Sequence, residues 1–356
     1  MRTAFLREAF LRVVFFLREA FLRVAFLRVV FFLADAFLRV DLRFGAAFFA
    51  AFFAAGFLLR LTAMCVESSF LWLHCVAKGG CLPYTVFSAV MQVLVNASDA
   101  RIDVEVSGSG DATLVLIHGF PLSQEIWDAQ VRALAERARV VTMDLRGMGR
   151  SSVVDGPYLM ESLAGDVAAV LDALGVERAS LAGHSLGGYV ALAFARMYVE
   201  RLDRLALVAS RIVADTPERA AHRFELADDA ERSGSSARII DEFRNATLSA
   251  KTRHERPEIV EKFEKIAKKN DVRGLAAMLR GMALRDSAED IAGDLTMPVL
   301  VLAGAEDPLV PPEEAKRTAA AFPAGRLVVL PGCGHVPMLE QPDQLSASLL
   351  SWATAE

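Results

Sequence analysis

The stretch that decides the fold lies mid-chain, where residues 180–188 read SLAGHSLGG. Ser180–Ala182 is predicted as a short strand and Leu186–Met197 as a helix rich in Gly and Ala, so Ser185 lies at a sharp strand-to-helix turn. Side chains two positions away on either side would clash in such a turn, and both positions are glycine. The turn presents Ser185 where the N–H groups of the helix N-terminus favour negative charge. The motif predicts a nucleophile, although alone it is also typical of an ordinary Gly-rich turn.

A serine hydroxyl at its free pKa is a weak nucleophile and needs a base that an acid orients. Asp307 follows the predicted strand Val299–Leu302. His335 follows the predicted strand Leu327–Leu330. Taken alone, each is also compatible with an ordinary loop residue. Together with Ser185, however, they give the order Ser, Asp, His, each after a strand, and this order predicts a catalytic triad.

Four neighbouring residues are candidates of lower rank. Glu306 is adjacent to the predicted acid and is the alternative to it. Cys333 lies two residues before the predicted base but has no strand-to-helix turn, so we do not expect a nucleophile there. Asp144 ends a strand and is expected to fix the loop after it. His184 is expected to point away from the site and to be structural.

The sequence His-Gly-Phe-Pro at residues 118–121 comes directly after the apolar strand Thr113–Ile117. Acyl transfer needs two N–H donors aimed at the oxygen that becomes negative. We expect the backbone of Phe120 to supply one donor and the backbone of Leu186, the residue after the nucleophile, to supply the other. We expect His118 to pack and hydrogen-bond within the loop rather than act as the base.

Predicted strands and helices alternate around these motifs with short connections, which indicates a parallel sheet covered on both faces. The first two strands flank a turn and predict an antiparallel hairpin. The strands are Gln92–Val95, Ile102–Val106, Thr113–Ile117, Val140–Met143, Ser180–Ala182, Leu205–Val208, Val299–Leu302 and Leu327–Leu330. The helices are Glu125–Arg137, Leu163–Leu174, Leu186–Met197, Glu313–Ala321 and Pro342–Ala353.

The alternation is interrupted between residues 211 and 293, where charged helical segments such as Glu258–Asn270 and Val272–Leu284 dominate. We interpret this region as a helical cap inserted into a core formed by residues 91–210 and 294–356. Such insertions commonly form lids over sites at the carboxyl ends of strands.

Residues from about 91 to 356, three-quarters of the chain, resemble a serine-dependent α/β-hydrolase. The resemblance rests on the motif at 118–121, DLRGMGRS at 144–151, the turn around Ser185, the acid loop at Asp307, and GCGH at 332–335. It is strongest to small esterases, to enol-lactonases such as 3-oxoadipate enol-lactonase, and to cofactor-free haloperoxidase-like enzymes. Residues 1–90 have no counterpart in that pattern.

The resemblance implies an α/β fold with an eight-stranded, mostly parallel sheet, a helical cap, and no metal or organic cofactor. It implies hydrolysis of small carboxylic esters or lactones through an acyl-enzyme on Ser185. Serine at this position argues against the dehalogenases and epoxide hydrolases of the fold, which use a carboxylate there. Two alternatives stay open: a ligand receptor or signalling module with weak turnover, and a cofactor-free haloperoxidase or perhydrolase.

The walls of the substrate pocket are the least readable part of the sequence. Candidate wall residues are Phe120, Trp127 and Leu186 from the core, with Met278 and Met282 from the insertion.

The composition divides the chain into two parts. Of 23 Phe, 17 lie in residues 1–90, which carry 9 Arg, 1 Lys and 5 acidic residues, a net charge of +5. The other 266 residues carry 29 basic and 39 acidic residues, a net charge of −10, so no basic surface for nucleic acid is expected. Cys333 is the one cysteine of this second part, which fits a reducing, cytoplasmic location.

Residues 1–90 form a low-complexity extension rich in Phe, Leu, Arg and Ala. AFLREAFLRVVFFLRE at 4–19 returns nearly unchanged at 20–35. We interpret the extension as disordered, dispensable or not a selected protein sequence, with Met91 as the natural start. The alternative is membrane association through residues 44–66, although the uncharged run Phe44–Leu59 is shorter than the ~20 residues of a typical transmembrane helix.

Overall fold

The computed structural model describes residues 90–110 and 112–354. The predicted extension, apart from Val90, lies outside the described residues, and so does the candidate membrane segment within it. Among the described helices, none has the length and apolar character needed to cross a bilayer.

Eight strands form one sheet in the order β1-β2-β4-β3-β5-β6-β7-β8. Their bounds are β1 Met91–Ala97, β2 Ala100–Ser107, β3 Thr113–Ile117, β4 Arg139–Met143, β5 Ala179–His184, β6 Leu202–Val208, β7 Val299–Gly304 and β8 Gly325–Leu330. The β1–β2 hairpin and the β2–β4 pair are antiparallel, whereas all other pairs are parallel. The predicted eight-stranded, mostly parallel sheet is confirmed.

Helices cover both faces of this sheet, as predicted. Outside the insertion they are α1 Asp128–Leu134, α2 Met160–Ala173, α3 Leu186–Met197, α10 Pro312–Ala320, α11 Pro337–Glu340 and α12 Pro342–Ala353. Successive side chains of β3 point to opposite faces because the repeat of a strand is two residues. Val115 and Ile117 therefore belong to one core cluster with α2 and α3, whereas Leu114 and Leu116 belong to a second cluster with α1 and α12.

Between β6 and β7 the chain forms six helices, which agrees with the predicted helical character of residues 211–293. They are α4 Pro217–Ser233, α5 Ala237–Thr247, α6 Ala250–Glu255, α7 Pro257–Ala267, α8 Val272–Ala283 and α9 Glu289–Ala292. We call residues 211–293 the insertion. The side chain of Asp271 accepts a hydrogen bond from the Arg273 N–H and so caps the start of α8.

One predicted helix, Glu125–Arg137, differs from the structure. Residues Gln124–Trp127 form a 3₁₀ turn, and the α-helix begins only at Asp128. The backbone N–H of Gln124 donates to Asp144 Oδ1 at 2.8 Å, and its side-chain amide donates to Asp103 Oδ1 at 2.9 Å. These contacts fix the first turn against β2 and the loop after β4, which periodicity along the chain does not reveal.

Candidate active site

Ser185 lies between β5 and α3 with a backbone φ of 49° and ψ of −109°, a conformation that is strained for a residue with a side chain. Its N–H donates to the Val208 carbonyl of β6 at 2.9 Å. A Cβ at Gly183 would lie 2.1 Å from the Gly187 carbonyl oxygen, and a Cβ at Gly187 would lie 2.3 Å from that of Ile117. The close approach of backbone to backbone therefore explains glycine on both sides of Ser185.

The structure brings Ser185, His335 and Asp307 together at the carboxyl ends of β5, β8 and β7. Ser185 Oγ lies 2.9 Å from His335 Nε2. His335 Nδ1 lies 2.7 Å from Asp307 Oδ2. The histidine and the aspartate are each 3% exposed, so little water competes for these hydrogen bonds. The three side chains have the relative positions that nucleophile, base and orienting acid require.

The turn after β7 determines which oxygen of Asp307 faces His335. Its Oδ1 accepts the N–H groups of Leu309 at 2.8 Å and Val310 at 3.0 Å. Oδ2 is left for His335, whose Nδ1 therefore carries the proton and whose Nε2 lone pair faces the Ser185 hydroxyl. The carboxylate bonded to His335 is that of Asp307, whereas the neighbouring Glu306 has an exposed side chain.

The backbone N–H groups of Phe120 and Leu186, predicted to hold the oxyanion, follow β3 and Ser185 respectively. Within residues 90–110 and 112–354, neither N–H donates to another protein group. A Cβ at Gly119 would lie 2.3 Å from His184 Nδ1, so glycine allows the Phe120 loop to pass close to the turn around Ser185. Their role as oxyanion donors stays a prediction.

The two histidines that flank these loops have structural contacts. His184 is predicted to point away from the site, whereas its ring centroid lies 5.3 Å from that of His335. His118 donates through Nδ1 to the Gly119 carbonyl at 3.0 Å and accepts the Leu145 N–H at Nε2, also at 3.0 Å. Burial lowers the pKa of His118, although the charge of Asp144 acts in the opposite direction. Burial, and then the charge of His335, hold the pKa of His184 well below its usual value, so His184 is neutral. Its Nε2–H donates to the His335 carbonyl oxygen at 2.8 Å.

Cys333 lies close to the three side chains but is a poor nucleophile. Burial raises the pKa of its thiol, and the charges of Glu340, Asp307 and Glu306 raise it further. The reactive form of cysteine is the thiolate, which these surroundings disfavour. Within the part of the chain that the structure describes, no cluster of three or more His, Cys, Asp or Glu side chains is arranged to hold a metal ion.

The candidate pocket residues lie in different parts of the core. Phe120, Leu186, Met278 and Met282 belong to the cluster that contains α2 and α3. The ring of Phe120 packs edge-on against Phe243 of the insertion, with centroids 4.8 Å apart. Trp127 is fully buried and belongs to the opposite cluster. The role of these residues as pocket walls stays a prediction.

Two buried residues that contact the site were missed from the sequence. Asn270 donates to the Pro121 carbonyl at 2.7 Å, and its Oδ1 accepts the Gly149 N–H at 2.6 Å. It therefore joins the loop of Phe120 to the loop after β4 and to the insertion. Glu340 hydrogen-bonds the loop that carries His335. In the sequence, Asn270 ends a predicted helix and Glu340 resembles a surface charge. Only contacts with distant residues mark them as part of the site: the partner of Asn270 lies 121 or more residues away along the chain, and the partner of Glu340 in the insertion lies about 90 residues away.

Asn270→Ala is expected to lower kcat about 10-fold, because a small displacement of a loop that positions a donor is costly. KM should change less than kcat, since Asn270 is buried and its side chain is bonded to backbone groups of the Pro121 and Gly149 loops. Steady-state kinetics on an ester substrate checks this result. Asn245→Ala is the matched control, because Asn245 also lies in the insertion but makes only exposed hydrogen bonds through its side chain. Wild-type kcat in folded Asn270→Ala would contradict the expectation.

Comparison with known proteins agrees with the fold described above. A family model described as the alpha/beta hydrolase fold matches residues 112–342. The pimeloyl-[acyl-carrier protein] methyl ester esterase of Aeromonas hydrophila is 32% identical over 249 residues, which are 68% of this chain and 95% of that protein. The dihydrolipoyllysine-residue acetyltransferase component of the acetoin cleaving system of Pseudomonas putida is 29% identical, and this chain spans 65% of its length.

Two solved structures are similar over the same region. A thermophilic esterase from Thermogutta terrifontis is 35% identical, with a TM-score of 0.71, and the match covers 74% of this chain and 98% of that one. The enol-lactonase from Burkholderia xenovorans is 25% identical, with a TM-score of 0.69, and the match covers 74% of this chain and all of that one.

Proposed function

The chain belongs to the hydrolases of the alpha/beta hydrolase fold family, and we propose that it hydrolyses small carboxylic esters or lactones through Ser185, His335 and Asp307. The observation that carries the proposal is the continuous hydrogen-bonded path from Ser185 Oγ through His335 to Asp307, with distances of 2.9 and 2.7 Å. The relatives named as an esterase and an enol-lactonase support the substrate class.

The reaction begins when His335 Nε2 takes the hydroxyl proton of Ser185 and Oγ attacks the substrate carbonyl carbon. The N–H groups of Phe120 and Leu186 hold the oxygen that becomes negative. Asp307 keeps the Nδ1 proton in place and stabilises the cation that forms on His335. The alcohol departs with the proton from Nε2, which leaves an acyl group on Ser185. Water then gives a proton to His335 and attacks the acyl carbon, and the acid is released when His335 returns that proton to the departing Ser185 Oγ.

In this proposal the insertion acts as a cap over the site, because it contacts three of the loops that carry a predicted functional group, those of Phe120, Asp307 and His335. The Thr247 carbonyl accepts the His335 N–H at 2.7 Å. Phe243 packs on Phe120 in the predicted oxyanion loop. The guanidinium of Arg211 donates to the Leu309 carbonyl in the turn that holds Asp307. Substrates therefore reach Ser185 between the insertion and the sheet edge.

Covalent labelling of the full chain tests the nucleophile and the reaction class together. A fluorophosphonate is expected to add one phosphonyl group to Ser185 and to abolish hydrolysis in proportion to the fraction of chains that are labelled. Trypsin releases this residue in the peptide 179–196, where fragmentation separates it from Ser180, the other serine of that peptide.

Before labelling, the same preparation should turn over p-nitrophenyl esters or lactones of graded chain length many times. Labelling at another residue would contradict the assignment of the nucleophile. Turnover that stops after about one equivalent, together with ligand-dependent partner binding, would favour a receptor over a hydrolase.

A further inference from the structure

Glu340, the last residue of α11, is a carboxylate that is 2% exposed. Its Oε1 accepts the backbone N–H of Gly334 at 3.1 Å and that of Val336 at 3.4 Å. Its Oε2 accepts the Ser249 N–H at 3.1 Å and the Thr252 hydroxyl at 2.7 Å. A buried carboxylate is stable only when its lone pairs are satisfied, and here four donors from two parts of the fold satisfy them.

The Oε1 contacts bracket His335, since one donor precedes this residue and the other follows it. The remaining backbone groups of His335 are also fixed. Its N–H donates to the Thr247 carbonyl at 2.7 Å, and its carbonyl accepts the His184 ring N–H at 2.8 Å. The backbone of the predicted base is therefore held on every side, which sets the direction of its ring toward Ser185 Oγ.

The Oε2 contacts belong to the insertion. Ser249 is the N-cap of α6, and its side chain accepts the Thr252 N–H at 3.1 Å. The guanidinium of Arg256 donates to the backbone carbonyl of Glu340 at 2.8 Å. A Cβ at Gly334 would lie 2.6 Å from the Ser249 N atom, so the insertion and the histidine loop are in direct contact here.

We propose that Glu340 is a positioning residue that joins the insertion to the histidine loop, so that His335 is aligned with Ser185 only while residues 247–252 are docked. This proposal rests on the proposed function. It extends that function because the insertion then controls the base as well as access of substrate.

The donors around Glu340 explain why glutamine cannot replace it. Three of the four are backbone N–H groups, two on Oε1 and one on Oε2, and these cannot become acceptors. An amide has one acceptor oxygen and one NH₂ group. In either orientation, the NH₂ of Glu340→Gln faces at least one N–H, so the histidine loop or the insertion loses its contact.

Glu340→Gln is therefore expected to lower kcat about 10- to 100-fold with little change in KM, because a misplacement of the base of about 1 Å has this effect. The low-field proton resonance of the His335–Asp307 hydrogen bond should broaden or disappear. Thr252→Val, which removes one Oε2 donor, should lower kcat less, and its effect should not add to that of Glu340→Gln.

A His335→Ala background separates positioning from general damage. If Glu340 acts through His335, Glu340→Gln should leave the residual turnover of His335→Ala unchanged. Asp166→Asn is the control for a buried carboxylate elsewhere, since Asp166 pairs with Arg146 and is expected to affect thermal stability rather than kcat.

Wild-type kcat in Glu340→Gln, or an equal loss in the His335→Ala background, would overturn the positioning role. Neither result would affect the proposed function, which fails instead if Ser185 is dispensable.

Discussion

Ser185→Ala is expected to lower kcat by about 10⁴- to 10⁶-fold, because removal of the nucleophile disables the acyl-enzyme route and triad members act as a unit. His335 would still face the substrate, and the N–H groups of Phe120 and Leu186 would still bind its carbonyl oxygen. A residual rate above that of water should therefore remain, with KM close to the original value.

Steady-state kinetics on the best p-nitrophenyl ester measures this loss. The matched control is Ser180→Ala, which removes a hydroxyl from β5, the strand that precedes Ser185, and should leave kcat within about twofold. A Ser185→Ala protein that keeps a tenth or more of the original kcat would exclude the acyl-enzyme mechanism. Because the substitution removes one hydroxyl from a partly exposed position, loss of folding is not expected to confuse the result.

The main elements of the fold were predictable because apolar runs and breakers mark them clearly. β3, α3 and α12 have the predicted bounds. β5 and β7 extend beyond their apolar runs to His184 and Gly304. Residues at the ends of these strands pair through backbone groups, which carry no hydrophobic signal.

The order of the strands along the chain already explains why the predicted triad residues lie together. Parallel strands end at one edge of a sheet, so residues directly after β5, β7 and β8 meet there. No such rule predicts the positions of Asn270 and Glu340. Their partners come from the insertion and from distant loops, and polar side chains of this kind resemble ordinary surface residues until the packing is known.

Asp307→Asn is expected to lower kcat about 10⁴-fold by reversing the tautomer of His335. Oδ1 must remain an acceptor, because the N–H groups of Leu309 and Val310 both point at it. The amide NH₂ of asparagine would then occupy the Oδ2 position, 2.7 Å from His335 Nδ1. Nδ1 would have to accept, so the proton would move to Nε2, which could no longer take the proton of Ser185.

The neighbouring acid provides the control for this change. Glu306→Gln removes a negative charge one residue away, but its side chain is exposed, so kcat should stay within about twofold of the original. The same ester assay measures both variants, and the expected losses differ by more than three powers of ten. If Glu306→Gln were the damaging change and Asp307→Asn the mild one, Glu306 would be the orienting acid. A mild effect of both would mean that the rate does not depend on a fixed tautomer of His335.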